Sequence, residues 1–210
     1  MEVVVIDVRT TGPRKHGDQI IGVAAAVADL NELKPKAVLD VAVKFDDTKA
    51  LPHYLEAACY DMDLWARTAL SPADAMQTVD DFLSRHRHIR RVNRKGEPFW
   101  VAQLVGHNAS WFDAPFLKSW FDRSHRFFPA DFIAMDTCQW ARWEFAMNPA
   151  VTTPKDYMIG TLAEYFSIDL PDTGAKSEVL AVIELARHLR LMNRLASTGL
   201  VATTETSVLY

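Results

Sequence analysis

The first 45 residues alternate apolar runs with turn residues. Stretches 2–8, 19–28 and 37–45 are rich in Val, Ile and Ala and are separated by Gly, Pro, Asp and Asn, which predicts three neighbouring strands in a meander. At Ser71 the period becomes helical. Ser71 can cap, Pro72 suits the first helical position, Asp74 completes a capping box, and Met76, Val79, Phe82 and Leu83 recur on one face. The segment "RHRHIRRVNRKGEPFWVAQLVGHN" reads as a hairpin or long loop feeding a strand at 99–105. Beyond it come a helix over "SWFDAPFLKSWFDRS", a short strand "FIAMDT", a helix over "CQWARWEFAM" and a short helix over "GTLAEYFSI". A last helix, about 175–195, carries Val179, Val182, Ile183, Ala186, Leu189 and Met192 on one stripe. Strands first, then helices alternating with strands, predict an α/β fold with a mixed central sheet flanked by helices. Residues 1–196 are expected to form one domain; 197–210 lack periodicity and are expected to be a flexible tail.

Composition narrows the classes. With 210 residues, 49% of them hydrophobic and 24% charged, the chain can fill one core and is too apolar for disorder. A net charge of −4 gives no overall attraction to nucleic acid, so a polyanion would need a local basic surface. Arg87, Arg90, Arg91, Arg94 and Lys95 offer one, readable either as a solvated face or as an edge that contacts phosphates. Cys59 and Cys138 match no metal-ligand spacing, and the start "MEVVVIDV" is too short and acidic for a secretory signal. Reduced thiols and a cytoplasmic location follow as expectations. No apolar run approaches the ~18 residues of a membrane span. Dinucleotide, P-loop and serine-hydrolase glycine motifs are absent from the sequence.

Three acids stand where chemistry would use them: Asp7 near the end of the first strand, Asp113 in "GHNASWFD", and Glu178 at the start of the last helix in "TGAKSE". Capping or the helix dipole would explain each alone. Their order and surroundings go further. "DVRTTG" followed by "DQIIGVAAAV", then "HNASWFDAPFL", "MDTCQWAR", "TLAEYFSI" and "TGAKSEV" resemble, in order, the motifs of the proofreading-type 3′–5′ exonucleases, the group with ribonuclease T and oligoribonuclease. The resemblance covers about residues 1–195 and implies a ribonuclease H-like fold.

In that family four carboxylates hold two divalent ions roughly 3.5 to 4 Å apart, and a His takes the proton of the attacking water. Mg²⁺ or Mn²⁺ suits such hard oxygen ligands. By resemblance Asp7, Asp113 and Glu178 are metal ligands, with Glu178 standing where the family has Asp. Thr10, Thr11 and Gly12 would lie beside the terminal nucleotide, with His107, Asn108 and Phe112 in the second motif contributing to the same binding region. Two departures bear on the chemistry. Arg9 occupies the position of the first motif's Glu, and Thr173 that of the general-base His. An Arg cannot ligate a metal, and a Thr hydroxyl has no useful proton affinity. Arg9 is therefore expected to act as an internal counter-ion paired with the acids.

The resulting expectation is an exonuclease-like protein that binds a single-stranded DNA or RNA 3′ end, with two-metal phosphodiesterase activity weakened or lost; a replication or repair protein is the partner such a module would serve. An active Mg²⁺- or Mn²⁺-dependent exonuclease with an unusual site is the alternative. A third reading, an interaction protein using Trp111, Trp120, Trp140 and Trp143, competes with ordinary core packing of those residues.

Overall fold

A computed structural model describes residues 1–197, the side chains of 196 and 197 excepted. Of the tail expected at 197–210, Ser197 closes the last helix and 198–210 lie outside the described residues. Strands β1 (Glu2–Thr10), β2 (Ile20–Asp29) and β3 (Pro35–Ala42) form the antiparallel meander that the Val/Ile runs predict. A 3₁₀ turn (Asp47–Lys49), α1 (Pro52–Ala57), α2 (Met62–Thr68) and α3 (Pro72–Arg85) come next. They are followed by β4 (Ile89–Val92), β5 (Pro98–Val101), β6 (Leu104–Gly106), α4 (Asp113–Arg123), β7 (Met135–Asp136), α5 (Thr137–Met147), α6 (Ile159–Phe166) and α7 (Ala175–Ser197). The main sheet has the order β3-β2-β1-β6-β7, with β6 and β7 joined in parallel, so the sheet is mixed as expected.

The sheet is covered on both faces, and the period-two alternation of β1 decides what each face meets. Val4, Ile6 and Val8 belong to the core built with Met76, Val79 and Leu83 of α3 and Phe116, Leu117 and Phe121 of α4. Val3 and Val5 point the other way, onto Val179, Val182, Ile183 and Ala186 of α7. The first part of the stripe read on the last helix is therefore its contact with the sheet, while Leu189 and Met192 pack with Ala141 and Phe145 of α5 and Leu162 of α6. Continuing the alternation sends Asp7 and Arg9 to the α7 side, toward the end of the sheet where that helix begins.

Three sequence expectations need correction. The strand expected at 99–105 is two strands in different sheets. β5 pairs only with β4, and β6 joins the main sheet, because the chain changes partners at Ala102–Gln103. Ala102 exchanges backbone hydrogen bonds with Pro129 and Asp131, while Gln103 accepts from the Val4 amide at 2.8 Å and donates its side-chain amide to the Leu104 and Ile133 carbonyls. Helices α1 and α2 went unpredicted since neither contains a buried residue, and a helix without an apolar stripe shows no period. Core packing accounts for Trp120 and the half-buried Trp140, but Trp111 and Trp143 are 79% and 66% exposed. The cap at Ser71 is formed as read, its hydroxyl oxygen accepting from the Asp74 amide at 3.2 Å. Both cysteines are free thiols, Cys59 exposed and Cys138 buried. No described helix is long and apolar enough to cross a membrane.

The turn that follows β6 depends on a close approach. A Cβ on Gly106 would lie 2.5 Å from the Ala109 Cβ and 2.9 Å from the Ile6 carbonyl oxygen. Gly106→Ala should therefore lower stability in urea unfolding by about 1–3 kcal/mol through overpacking. Gly160→Ala in α6, where an added Cβ meets nothing within 4 Å, should not lower it. Equal losses in the two variants would contradict this account.

Candidate active site

Parallel strands deliver their carboxyl ends to one side of a sheet, and open α/β sheets place ligand crevices there. Val4 lies beside Leu104 and Val5 beside Val105, which puts Asp7 level with His107. β7 ends alongside, with Gly106 paired to Asp136. The N-terminal turns of α4 and α7 bring Asp113 and Glu178 to the same end. The order of motifs along the chain is thus converted into one constellation.

Arg9 sits at its centre. Its Nε is 2.8 Å from Asp7 Oδ2, and one terminal guanidinium nitrogen is 2.9 Å from Glu178 Oε1. The same terminal nitrogen donates to the Thr173 carbonyl at 2.8 Å. The Asp7 contact is an ion pair without hydrogen-bond alignment, since neither Asp7 Oδ2 nor Arg9 Nε has a directed partner. The three side chains of the cluster are only 14–18% exposed. Asp113 accepts from the Val8 amide at 2.6 Å.

The electrostatics follow from removal from water. Burial raises the Asp113 carboxyl well above its usual range, with the Asp7 charge adding to the rise and the Val8 amide opposing it. Asp7 is pushed up to about 7, again chiefly by burial; Arg9 pulls against that rise and Glu178 reinforces it. For Arg9, burial works against the charge, but the neighbouring Asp7 and Glu178 outweigh it and raise its pKa, so the guanidinium stays protonated.

The remaining predicted residues divide into two groups. His107 and Asn108 line a cleft of about 520 Å³ together with Arg9, Thr173 and Glu178. His107 has both ring nitrogens engaged, Nε2 with the Tyr157 carbonyl at 2.7 Å and Nδ1 with the Thr137 hydroxyl at 3.0 Å. A carbonyl can only accept, so Nε2 carries a proton, and burial lowers the ring's pKa. Asn108 holds a left-handed backbone (φ 62°), which Asn tolerates well, and its amide donates to Asp136 at 3.1 Å. Thr173 turns its hydroxyl toward Cys59 Sγ, 3.3 Å away.

Thr10, Thr11, Gly12 and Phe112 are not among the residues that line this cleft. Thr10 donates to the Gly12 carbonyl at 2.8 Å, Thr11 Oγ1 accepts from the Gln19 amide at 2.9 Å, and both residues are buried. Gly12 is packed so tightly that a Cβ would fall 2.7 Å from Asp18 Oδ2. Phe112 packs on Phe116, ring centroids 4.8 Å apart.

Sequence reasoning missed His53 and Glu56 of α1, as well as Met158 and Ile159, all of which line the cleft. No sequence signal marked the first two because α1 itself left none. His16 and His188 lie away from the cleft lining, His16 against Ser119 and His188 stacked on Phe166.

A metal pair would need the oxygens that Arg9 now contacts. The guanidinium nitrogens stand within 2.9 Å of carboxylate oxygens on both Asp7 and Glu178, and they cannot be deprotonated to make room. Among the described residues no group of three or more His, Cys, Asp or Glu side chains is arranged to hold a metal ion. The donor set as it stands does not fit Mg²⁺ or Mn²⁺ in a two-metal centre.

No family model and no curated protein matches this chain by sequence. Solved structures do match in fold. Exonuclease I, in a structure said to suggest how processivity is achieved, superposes with a TM-score of 0.72 at 16% identity over 93% of this chain and 43% of that one. E. coli exonuclease I in complex with a dT13 oligonucleotide gives 0.73 at 15% identity over 94% and 43%. The complex of exonuclease I with SSB-Ct gives 0.69 at 16% over 93% and 43%. The protein therefore has the mixed α/β, ribonuclease H-like fold of these exonucleases, and it spans less than half the length of their chains.

Two measurements test the electrostatic description. Asp113 and Asp7 have folded pKa values above the ordinary 3.8, so the folded state holds protons that the unfolded state releases. The Asp7 contribution to stability is full below about pH 4 and is lost as pH rises through about 7, and that of Asp113 runs in the same direction. Asp113→Asn keeps an acceptor for Val8 and removes part of that loss, so its Tm relative to the unmodified protein should improve as pH rises above the ordinary carboxyl value of 3.8. Parallel profiles would refute a protonated Asp113. Arg9→Met leaves buried acids without their cation and should cost about 3–5 kcal/mol in denaturant unfolding at neutral pH. A cost under about 1 kcal/mol would show that Arg9 is not the counter-ion.

Proposed function

We propose that this protein is a 3′–5′ exonuclease-like nucleic-acid-binding protein whose two-metal phosphodiesterase activity is weakened or lost. The observation that carries the reading is Arg9 spanning Asp7 and Glu178, the carboxylates that a metal pair would share. The fold shared with exonuclease I, which is known in complex with dT13 and with SSB-Ct, supports a single-stranded 3′ end as the ligand and a replication or repair protein as the partner.

In this reading the cleft beside Arg9 receives the terminal nucleotide. Arg9 offsets the negative charge of Asp7 and Glu178, which would otherwise repel a phosphodiester. Asn108 presents a polar side chain at the mouth, and Met158 and Ile159 offer apolar surface for a base or sugar. His107 orders the cleft wall through its bonds to Tyr157 and Thr137 and supplies no free base nitrogen. Thr173 contributes its carbonyl to Arg9 and has no group that could take a proton from water.

The test combines cleavage with metal binding. With Mg²⁺ or Mn²⁺ and 3′-labelled single-stranded DNA or RNA, the protein should leave strands intact under conditions in which the Arg9→Glu, Thr173→His double variant shortens them. Mn²⁺ should raise the Tm of the Arg9→Glu variant and leave that of the unmodified protein unchanged. Strong degradation by the unmodified protein, abolished by Asp113→Ala, would overturn the proposal and establish the active-exonuclease alternative.

A further inference from the structure

The basic segment lies at the wrong end of the molecule to serve the cleft. β6 runs toward the cleft, and the β4–β5 hairpin immediately precedes it, so the hairpin projects from the opposite end of the sheet. It is nonetheless built as a surface. Arg90 pairs across the ribbon with Trp100, and Val92 with Pro98, so these four side chains share one face; Ile89, Arg91, Phe99 and Val101 share the other. The second face anchors the ribbon. Val101 is buried, Arg91 Nε donates to the buried Asp131 at 3.0 Å, and Phe99 packs edge-on against Phe127.

The first face is left to solvent. Trp100 is 48% and Val92 52% exposed, a large apolar area for a ribbon of two short strands. Arg90 on that face, with Arg94 and Lys95 at the turn, has no acidic partner among the described residues. Glu97 is the one acid in the hairpin, and it is held by Asn93 at 2.8 Å. A cation directly opposite an exposed indole, with more cations beyond, suits a ligand in which negative charges alternate with flat rings. An acidic peptide would use the cations and leave the indole idle.

We propose that the outer face of the β4–β5 ribbon is a second binding site for single-stranded nucleic acid, with a base stacked on Trp100 and phosphates at Arg90, Arg94 and Lys95. Aromatic stacking is indifferent to sequence and phosphate contacts need no strand end, so this site grips the body of a strand. It shares with the function proposed above only the class of ligand. The two fail separately, because the cleft requires a 3′ end and the ribbon does not.

Fluorescence anisotropy with labelled linear dT30 and with circularised dT30 distinguishes them. The full chain should bind the circle. Trp100→Ala should weaken that binding about tenfold, with Trp100→Phe retaining most of it. Replacing Arg90, Arg94 and Lys95 together by Ser should reduce the single-strand salt slope by about two. A preference for linear over circular DNA reports the cleft and should survive these ribbon changes. Failure to bind the circle, or circle binding unchanged in both sets of variants, would overturn the ribbon site. So would an acidic peptide such as oligoglutamate competing as well as dT30 while Trp100→Ala has no effect. Loss of the linear preference in the unmodified protein, with circle binding intact, would instead remove the cleft reading and leave the ribbon standing.

Discussion

The acidic end of this fold depends on one guanidinium. Asp7 and Glu178 come from elements far apart in the chain, are largely shielded from water, and both lie within 3 Å of Arg9. Without a cation between them, α7 could not place its first turn against β1 at neutral pH without uncompensated negative charge in a site of low polarity. Arg9 also ties the Thr173 carbonyl, and with it the turn that precedes α7, to the first strand. A metal pair would satisfy the same charges in another way. The two solutions exclude one another because they use the same oxygens.

Around that interaction the fold performs a simple mechanical service. Strand alternation sends even-numbered residues of β1 into the core with α3 and α4 and odd-numbered ones toward α7. Asp7 and Arg9 are therefore odd-numbered continuations of Val3 and Val5, and they emerge where the apolar contact with α7 ends. Burial near that boundary raises the Asp113 and Asp7 pKa values. Mutual charge and desolvation thus oppose full ionisation, and Arg9 offsets this most strongly for Asp7 and Glu178, which it contacts, and more weakly for Asp113.

The two ends of the sheet carry different surfaces. One end is a cleft with polar groups held by a dense hydrogen-bond network through His107, Thr137 and Asp136. At the other, a ribbon anchored by Arg91 on Asp131 turns Trp100 to solvent beside cations that have no acidic partner among the described residues. A net charge of −4 conceals this separation, since a whole-chain sum carries no information on where charges sit.

The sequence by itself determined the layered α/β class, the three-stranded meander, the capped α3, the apolar stripe of α7 and the order of the three acids. Each of these is written in local periodicity or short motifs, and local rules suffice to read them. It also singled out Arg9 and Thr173 as departures from a resembling family. Only the tertiary structure decided which atoms Arg9 meets, because its partners are more than 160 residues apart from it in the case of Thr173 and Glu178. The structure likewise brought His53 and Glu56 to the cleft from a helix with no buried face, split 99–105 between two sheets, and left Trp111 and Trp143 in solvent while burying Trp120. Those outcomes depend on non-local pairing and on which faces other elements happen to cover, and neither is encoded in the period of any single segment.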